Sequence, residues 1–334
     1  MRAVIQDRYG PLEHLRVEDI DEPRPAPGGV LVRVHAASIH PDVWHVVRGE
    51  PRLLRLMGNG VRRPKLRIPG TDIAGVVEEL GEGTTGFDVG DRVFGETAPL
   101  AWANGGAFAE LAASATDKLC RMPNGISFEE AACLPTAGII TLQSLGRGVR
   151  FEGRNVLING AGGGVGSLAL QIALAGGARV TAVDTTSKLD FLRELGADEV
   201  VDFNETDILS LERRFDLFVD IPATRPFRKL KRLLKPEGRY VPIGHEGFSS
   251  QQAWFGLVPH FLGFVVRARF SKQLQGGSEV ERLTPREAMV EVRRLAEAGV
   301  VRPPIARTYP LEDVVPALRL LTEGSPEGRI VLVP

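Results

Sequence analysis

The chain has 334 residues and a formal net charge of −1, from 41 basic and 42 acidic side chains. With 43% apolar and 25% charged residues, it has the make-up of a soluble globular protein, long enough for two domains of roughly 100–200 residues each. The balanced charge excludes a general nucleic-acid binder. Two cysteines, Cys120 and Cys133, exclude a disulfide scaffold and a four-cysteine zinc lobe. The opening MRAVIQDRYG holds no apolar run of the kind a secretory signal needs. The most apolar window, Trp254 to Val266, is too short to span a bilayer and is broken by Pro259 and His260. A cytoplasmic, reducing compartment and no membrane partner are expected.

Residues 1–125 read as short strands between turns, an all-β lobe. Val30 to Val34 alternates apolar and polar side chains, and Ile73 to Glu79 and Asp91 to Phe94 are similar runs. Gly81, Gly83, Gly86 and Gly90 mark turns between them. Arg48 to Lys65 is Arg-rich and lacks a period, which suggests an excursion or short helix beside a site. From residue 126 the pattern changes. Ser127 and Glu130 have capping-box spacing ahead of an apolar helix. Asn155–Ile158, Arg179–Val183, Glu199–Phe203, Leu217–Asp220 and Arg239–Ile243 read as strands. Helices are expected between them over Ser167–Ala175, Ser187–Leu195 and Phe227–Leu234. Such alternation gives βαβ units and a parallel sheet. Thr284-Pro285-Arg286-Glu287 is a strong helix start; Met289, Val292, Leu295 and Ala296 share one face, and Gly299 ends the helix. One more helix and a last strand, Arg329–Leu332, follow.

A glycine run, Gly160-Ala161-Gly162-Gly163-Gly164-Val165-Gly166, sits between the first of those strands and its helix. It reads as a dinucleotide fingerprint of the form A-x-G-x-x-G, with Ala161, Gly163 and Gly166 at the fixed positions. Small residues permit a tight turn, close approach of the backbone to a pyrophosphate and close helix–strand packing. The helix N-terminus then offers free N–H groups to the phosphates. The next strand ends in Asp184, placed to hydrogen-bond a ribose diol and so to favour NADH. Lys188, with Thr185, Thr186 and Ser187, offers a competing site for a 2′-phosphate. The cofactor is NAD(P)H; its preference stays open, with the balance toward NADH.

These stretches together resemble the medium-chain dehydrogenase/reductase superfamily over essentially the whole chain, and within it the zinc-independent quinone oxidoreductase, or zeta-crystallin-like, branch. The resemblance is carried by PGTDIAGVVEELG (Pro69–Gly81), GDRVFG (Gly90–Gly95), AACLPTAGIITL (Ala131–Leu142) and GAGGGVGSLALQIA (Gly160–Ala173). It implies an α/β fold: a GroES-like β-rich catalytic domain over 1–126 and 275–334, and a Rossmann doubly wound parallel-sheet domain over 127–274. It adds Thr136 and Gly244 to the cofactor contacts and implies a homodimer paired through a strand near Phe261–Phe270. NADPH-using relatives carry a Lys where Lys188 stands, and a Tyr where this chain has Phe203.

Three positions bind zinc in the metal-dependent relatives. Here they correspond to His40, Thr71 and a place at or near Cys133, and a hydroxyl is a poor ligand. The reading is therefore no metal. Hydride transfer to a quinone or an α,β-unsaturated carbonyl is expected, with His40 and Asp42 as the candidate catalytic residues. His40 either donates a proton or hydrogen bond or fixes its loop; His45 occupies a relay position in some relatives or lies at the surface. Trp44, the Arg48–Lys65 excursion, Trp102 and Trp254–Phe264 are candidate pocket walls, and Arg62, Arg63, Lys65 and Arg67 a basic cluster or a solvated face. Two alternatives are kept: a metal-assisted alcohol dehydrogenase using His40, Asp72 and Cys133, and a nucleotide-binding protein without turnover.

Overall fold

The computed structural model describes residues 1–53, 55–56, 60–98, 103–244, 262–264, 266, 271–275, 281–323 and 326–334. The first lobe holds β1 (Arg2–Ile5), β2 (Arg16–Asp19), β3 (Gly29–Ile39), α1 (Pro41–Arg48), β4 (Asp72–Leu80), β5 (Arg92–Glu96), β6 (Leu111–Ala115) and β7 (Leu119–Arg121). The alternation in VLVRV has the expected consequence: Val30, Val32 and Val34 are buried in one core while Arg33 is exposed. β3 then runs on through Ala36, Ala37 and Ser38. These small, buried residues let it pair with β4 on one side and with the chain's last strand on the other. This lobe is not all-β, as α1 shows. Pro41 stands in its first turn with Asp42, and Gly49 closes it at φ 62°, the start and stop signals of a helix.

The second half opens on α2 (Phe128–Ala132) and α3 (Pro135–Leu145). The Ser127–Glu130 capping box forms in both directions. The expected single helix is nonetheless two, because Pro135 has no N–H to continue the first. Then follow β8 (Asn155–Asn159), α4 (Gly164–Ala175), β9 (Arg179–Asp184), α5 (Leu189–Glu194), β10 (Glu199–Asp202), β11 (Phe215–Asp220), α6 (Phe227–Leu230) and β12 (Leu234–Pro242). All neighbouring pairs are parallel, in the order β10-β9-β8-β11-β12. Val156, Leu157 and Ile158 are fully buried; successive side chains enter cores on opposite faces, as a sheet covered on both sides requires. The order reverses at β8, which makes its C-terminal end the switch point where such sheets bind ligands.

After α7 (Lys272–Gln275) comes α8 (Pro285–Glu297), then β13 (Ile305–Pro310), α9 (Val314–Glu323) and β14 (Arg329–Val333). β14 pairs with β3, and β13, which the sequence reading missed, pairs with β14. They extend a seven-stranded sheet of the first lobe. Both halves of the Thr284–Glu287 capping box are present. Thr284→Ala should cost about 1 kcal/mol, read as a lower urea midpoint with an unchanged fold by circular dichroism. Leu262, Gly263, Phe264 and Val266 are helical, not a strand. The rest of the expected pairing strand, Trp102 and residues 254–261 lie outside the described residues.

Candidate active site

The glycine loop lies between β8 and α4. Gly160 takes φ 82°, and the Gly160 and Ala161 N–H groups donate to Val183 O at 2.9 and 3.2 Å. This ties the turn to β9. The N–H groups of Gly164, Val165 and Gly166 form the first turn of α4 and have no intrahelical acceptor. At Gly166 a Cβ would lie 2.2 Å from Gly160 O and 2.7 Å from the Ala161 Cα, so this glycine sets helix–strand contact. A Cβ at Gly163 would meet only Gly160 O, at 3.8 Å.

Arg329, at the head of β14, is a residue that sequence reasoning missed. It is 5% exposed, its Nε has no hydrogen-bond partner among the described residues, and it packs on Gly164, where a Cβ would fall 2.3 Å from that Nε. Gly328 N donates to Gly162 O at 3.0 Å, fixing β14 to the loop. A buried guanidinium beside a helix N-terminus is suited to a diphosphate. A cation ahead of an apolar strand was the whole of its sequence signal.

Asp184 and Lys188 come together. Asp184 Oδ2 accepts Gly162 N–H at 2.8 Å and Oδ1 accepts Thr185 N–H at 2.9 Å. The Lys188 ammonium stands 3.6 Å from Oδ1, and both side chains are buried. Lys188 is therefore an interior lysine, held beside the carboxylate with which the sequence places it in competition. It lies over Gly162, where a Cβ would sit 2.6 Å from its Cδ. Phe203 is 51% exposed beside them, and its N–H donates to Asp184 O.

Between the lobes is a cavity of about 700 Å³, whose walls include His40, Thr71, Glu96, Thr136 and Gly244. Asp72, at the start of β4, is fully buried beneath it. Its carboxylate accepts Thr136 N–H at 3.1 Å, Thr136 Oγ1–H at 2.6 Å, Thr71 Oγ1–H at 3.0 Å and Ser38 Oγ–H at 3.4 Å. Thr136 Oγ1 is also 3.0 Å from Glu96 Oε1. The hydroxyl proposed from sequence for the cofactor is thus committed to two carboxyl groups. His40 Nε2 is 2.8 Å from Thr71 Oγ1. Its Nδ1 is buried and has no hydrogen-bond partner among the described residues, 3.7 Å from Asp42 Oδ2. Burial lowers the His40 pKa, against the pull of Asp72 and Asp42. The imidazole is therefore neutral, and these contacts are not ion pairs. At Glu96 burial and Asp72 act together instead of in opposition: burial, then Asp72, raise its carboxyl to about 7.

Several sequence expectations move. Trp44 is core, 7% exposed. Neither it nor any described residue of 48–65 lines the cavity. Tyr9 holds that excursion from outside: its hydroxyl donates to Gly60 O, and Arg55 lies over its ring. Phe264 packs on Tyr240 in a core. His45 is 2% exposed rather than superficial, with Nδ1 at 3.0 Å from Glu50 O. In the basic cluster, Arg67 pairs with Asp7 and Glu18. The trio of His40, Asp72 and Cys133 offers zinc a poor donor set. His40 Nε2 faces Thr71, Asp72 is engaged by four donors, and burial pushes the Cys133 thiol up to about 12, whereas zinc binds the thiolate. Among the described residues no three such side chains converge as a metal site.

A doubly wound sheet with a glycine loop at its switch point, facing a β-rich lobe across a polar cavity, defines a dinucleotide-dependent oxidoreductase. Family comparison agrees: residues 26–140 match the alcohol dehydrogenase GroES-like domain and residues 195–332 match a family described as zinc-binding dehydrogenase. The chain is 30% identical to the chloroplast envelope quinone oxidoreductase homolog of Arabidopsis thaliana, over 100% of this chain and 98% of that one. It is 28% identical to the NADPH-dependent alkenal/one oxidoreductase, chloroplastic, of the same plant, over 100% and 80%. Among solved structures, the quinone oxidoreductase from Coxiella burnetii superimposes with a TM-score of 0.79 at 26% identity, over 100% and 99%. The chain belongs to the medium-chain dehydrogenase/reductase superfamily, in its quinone oxidoreductase branch.

Proposed function

We propose that this protein is an NAD(P)H-dependent reductase of quinones or α,β-unsaturated carbonyl compounds that needs no catalytic zinc. The observation that carries this reading is the shared cavity. The glycine-loop half contributes Gly244, the other lobe His40 and Thr71, and among the described residues no zinc-grade donor set stands between them. The names of the relatives support the substrate class. When bound, the reduced nicotinamide supplies the hydride. The chain's own residues do the rest. The first-turn N–H groups of α4 and Arg329 hold the diphosphate. Asp184 and Lys188 meet the adenosine ribose, and Pro242–Gly244 support the nicotinamide half. His40, hydrogen-bonded to Thr71 and lining the cavity, serves as donor to the acceptor oxygen. A conjugated acceptor needs less help than a simple carbonyl, since conjugation spreads the incoming charge.

The same proposal divides the chain into 1–126 with 275–334, and 127–274; the return of β13 and β14 to the first sheet supports the division. It also includes a homodimer, to be read by light scattering, and a cytoplasmic location, to be read by fractionation. Several relatives are named chloroplastic or mitochondrial, and no helix among the described residues is long and apolar enough to cross a membrane.

The test is consumption of NADH or NADPH with a naphthoquinone or an enone, with EDTA present. Turnover that survives EDTA supports the proposal. Turnover only of alcohols and only with added zinc overturns it. Lys188→Ala should raise KM for NADPH roughly tenfold and leave that for NADH within about twofold, because the lost ammonium is, among the described residues, the cation placed at the ribose. Equal changes for the two cofactors would assign Lys188 a packing role.

A further inference from the structure

We propose that Glu96 is the proton store of this reduction, joined to His40 by a continuous file of hydrogen-bonding side chains. The file is Glu96, Thr136, Asp72, Thr71 and His40, with successive contacts of 3.0, 2.6, 3.0 and 2.8 Å. It draws on β5, α3, β4 and the end of β3, so only the folded chain assembles it. Thr71, Thr136 and both ends face the cavity.

Hydrogen-bond counting places the extra proton. Asp72 accepts from four donors, the environment of a carboxylate. Among the described residues Glu96 has only the Thr136 hydroxyl, which lies closer to Asp72. Two carboxyl groups bridged by one hydroxyl do not both ionise readily, so Glu96 carries the proton and donates to Thr136 Oγ1. Its raised pKa, near 7 through burial and Asp72, agrees. The charged groups facing Glu96 are Asp72, Asp42 and Lys118; those facing His40 are Asp72, Asp42 and Arg329.

The inference rests on the reductase reading. At rest the one Thr71 hydroxyl proton points to Asp72, and His40 Nε2–H donates to Thr71. For the reaction the Thr71 hydroxyl turns to Nε2 and the imidazole carries its proton on Nδ1; the acceptor then takes a hydride from the reduced cofactor and that proton. Nε2 takes the Thr71 proton, Thr71 takes one from Asp72 as Asp72 takes that of Thr136, and Thr136 takes that of Glu96. Glu96 is left as a carboxylate and regains its proton from water. One hydride and one proton are consumed per acceptor. Glu96 acts through the file rather than on the acceptor, so it is a positioning and supply residue.

The test compares wild type, Glu96→Gln, Thr136→Ser and Thr136→Val in naphthoquinone and enone reduction as a function of pH. For wild type kcat should fall as pH rises through about 7. Glu96→Gln should lose that limb and lower kcat at the acidic side by about a hundredfold, with KM for the cofactor unchanged. Thr136→Ser should keep the limb and Thr136→Val lose it. An unchanged limb or kcat in Glu96→Gln overturns the proposal, as does a change confined to cofactor KM. The thermal midpoint is a readout independent of turnover. A carboxyl with a raised native pKa stabilises the fold fully below its unfolded value, and that contribution is lost as pH rises through the native one. Wild-type stability should therefore decline between the ordinary carboxyl value of 4.5 and about 7, and Glu96→Gln should flatten this decline. A decline that is unchanged in Glu96→Gln overturns the assignment of the proton even if the variant is inactive. Should wild type reduce neither acceptor, the reductase reading falls and the role of Glu96 with it; an active wild type with an indifferent Glu96→Gln removes only the latter.

Discussion

Gly166→Ala should weaken dinucleotide binding by at least about a hundredfold and lower stability by about 1–3 kcal/mol, the range for overpacking a tight core. The added carbon would stand 2.2 Å from Gly160 O, 2.7 Å from the Ala161 Cα and 2.9 Å from its carbonyl carbon. All three are backbone atoms of the turn, so no side chain can swing aside. The end of β8 and the start of α4 must separate, which tilts the first-turn N–H groups away from the diphosphate. Gly163→Ala is the control. Its Cβ has nothing nearer than Gly160 O at 3.8 Å, so stability should stay within about 0.5 kcal/mol of wild type. Titration of the reduced cofactor's fluorescence measures the first quantity and urea unfolding the second. Equal stability losses in the two variants would contradict this account of the loop.

Asp72→Ala should cost about 3 kcal/mol or more. Asp72 is fully buried, and removing its carboxylate leaves the Thr136 N–H and three hydroxyls without their acceptor. Each buried donor left unpaired costs about 1–3 kcal/mol. A water entering the gap would recover part of this, so the sum is not simply additive. Asp72 sits on β4 and Thr136 on α3, so the loss also loosens the contact between the two lobes. Asp72→Asn keeps an acceptor and should cost clearly less. The charge has a separate signature. Asp72 raises the Glu96 pKa, second only to burial, so Asp72→Asn should shift the pH limb of turnover to lower pH. Urea midpoints and pH–rate profiles of both variants check these outcomes. An Asp72→Ala protein as stable as Asp72→Asn would mean that the buried donors are satisfied some other way.

What the sequence determined by itself was local. The alternation of Val30 to Val34, the capping boxes at Ser127 and Thr284, and the apolar runs that became β8, β9 and β11 depend on neighbours within a few residues. They were legible for that reason. The glycine run was legible too, since its constraint lies in the backbone of one turn. Where a single residue decided the outcome locally, as with Pro135 dividing a helix or Gly49 closing α1, the signal was present and was outweighed by a longer pattern.

Only the tertiary structure decided which charged groups are buried together. Lys188 read as a contact for a 2′-phosphate and His45 as either a relay or a surface residue, and both are interior. Thr136 read as a cofactor ligand and bridges two carboxyl groups, 40 and 64 residues away. Glu96 and Arg329 carried no motif. Each acquires its chemistry from desolvation by segments distant in the chain: Glu96 from α3 and β4, Arg329 from the glycine loop it packs against. The free energy of a charge depends on what surrounds it in three dimensions. Strand and helix periods record which face of an element is buried, and they do not record which elements close over an ionisable group.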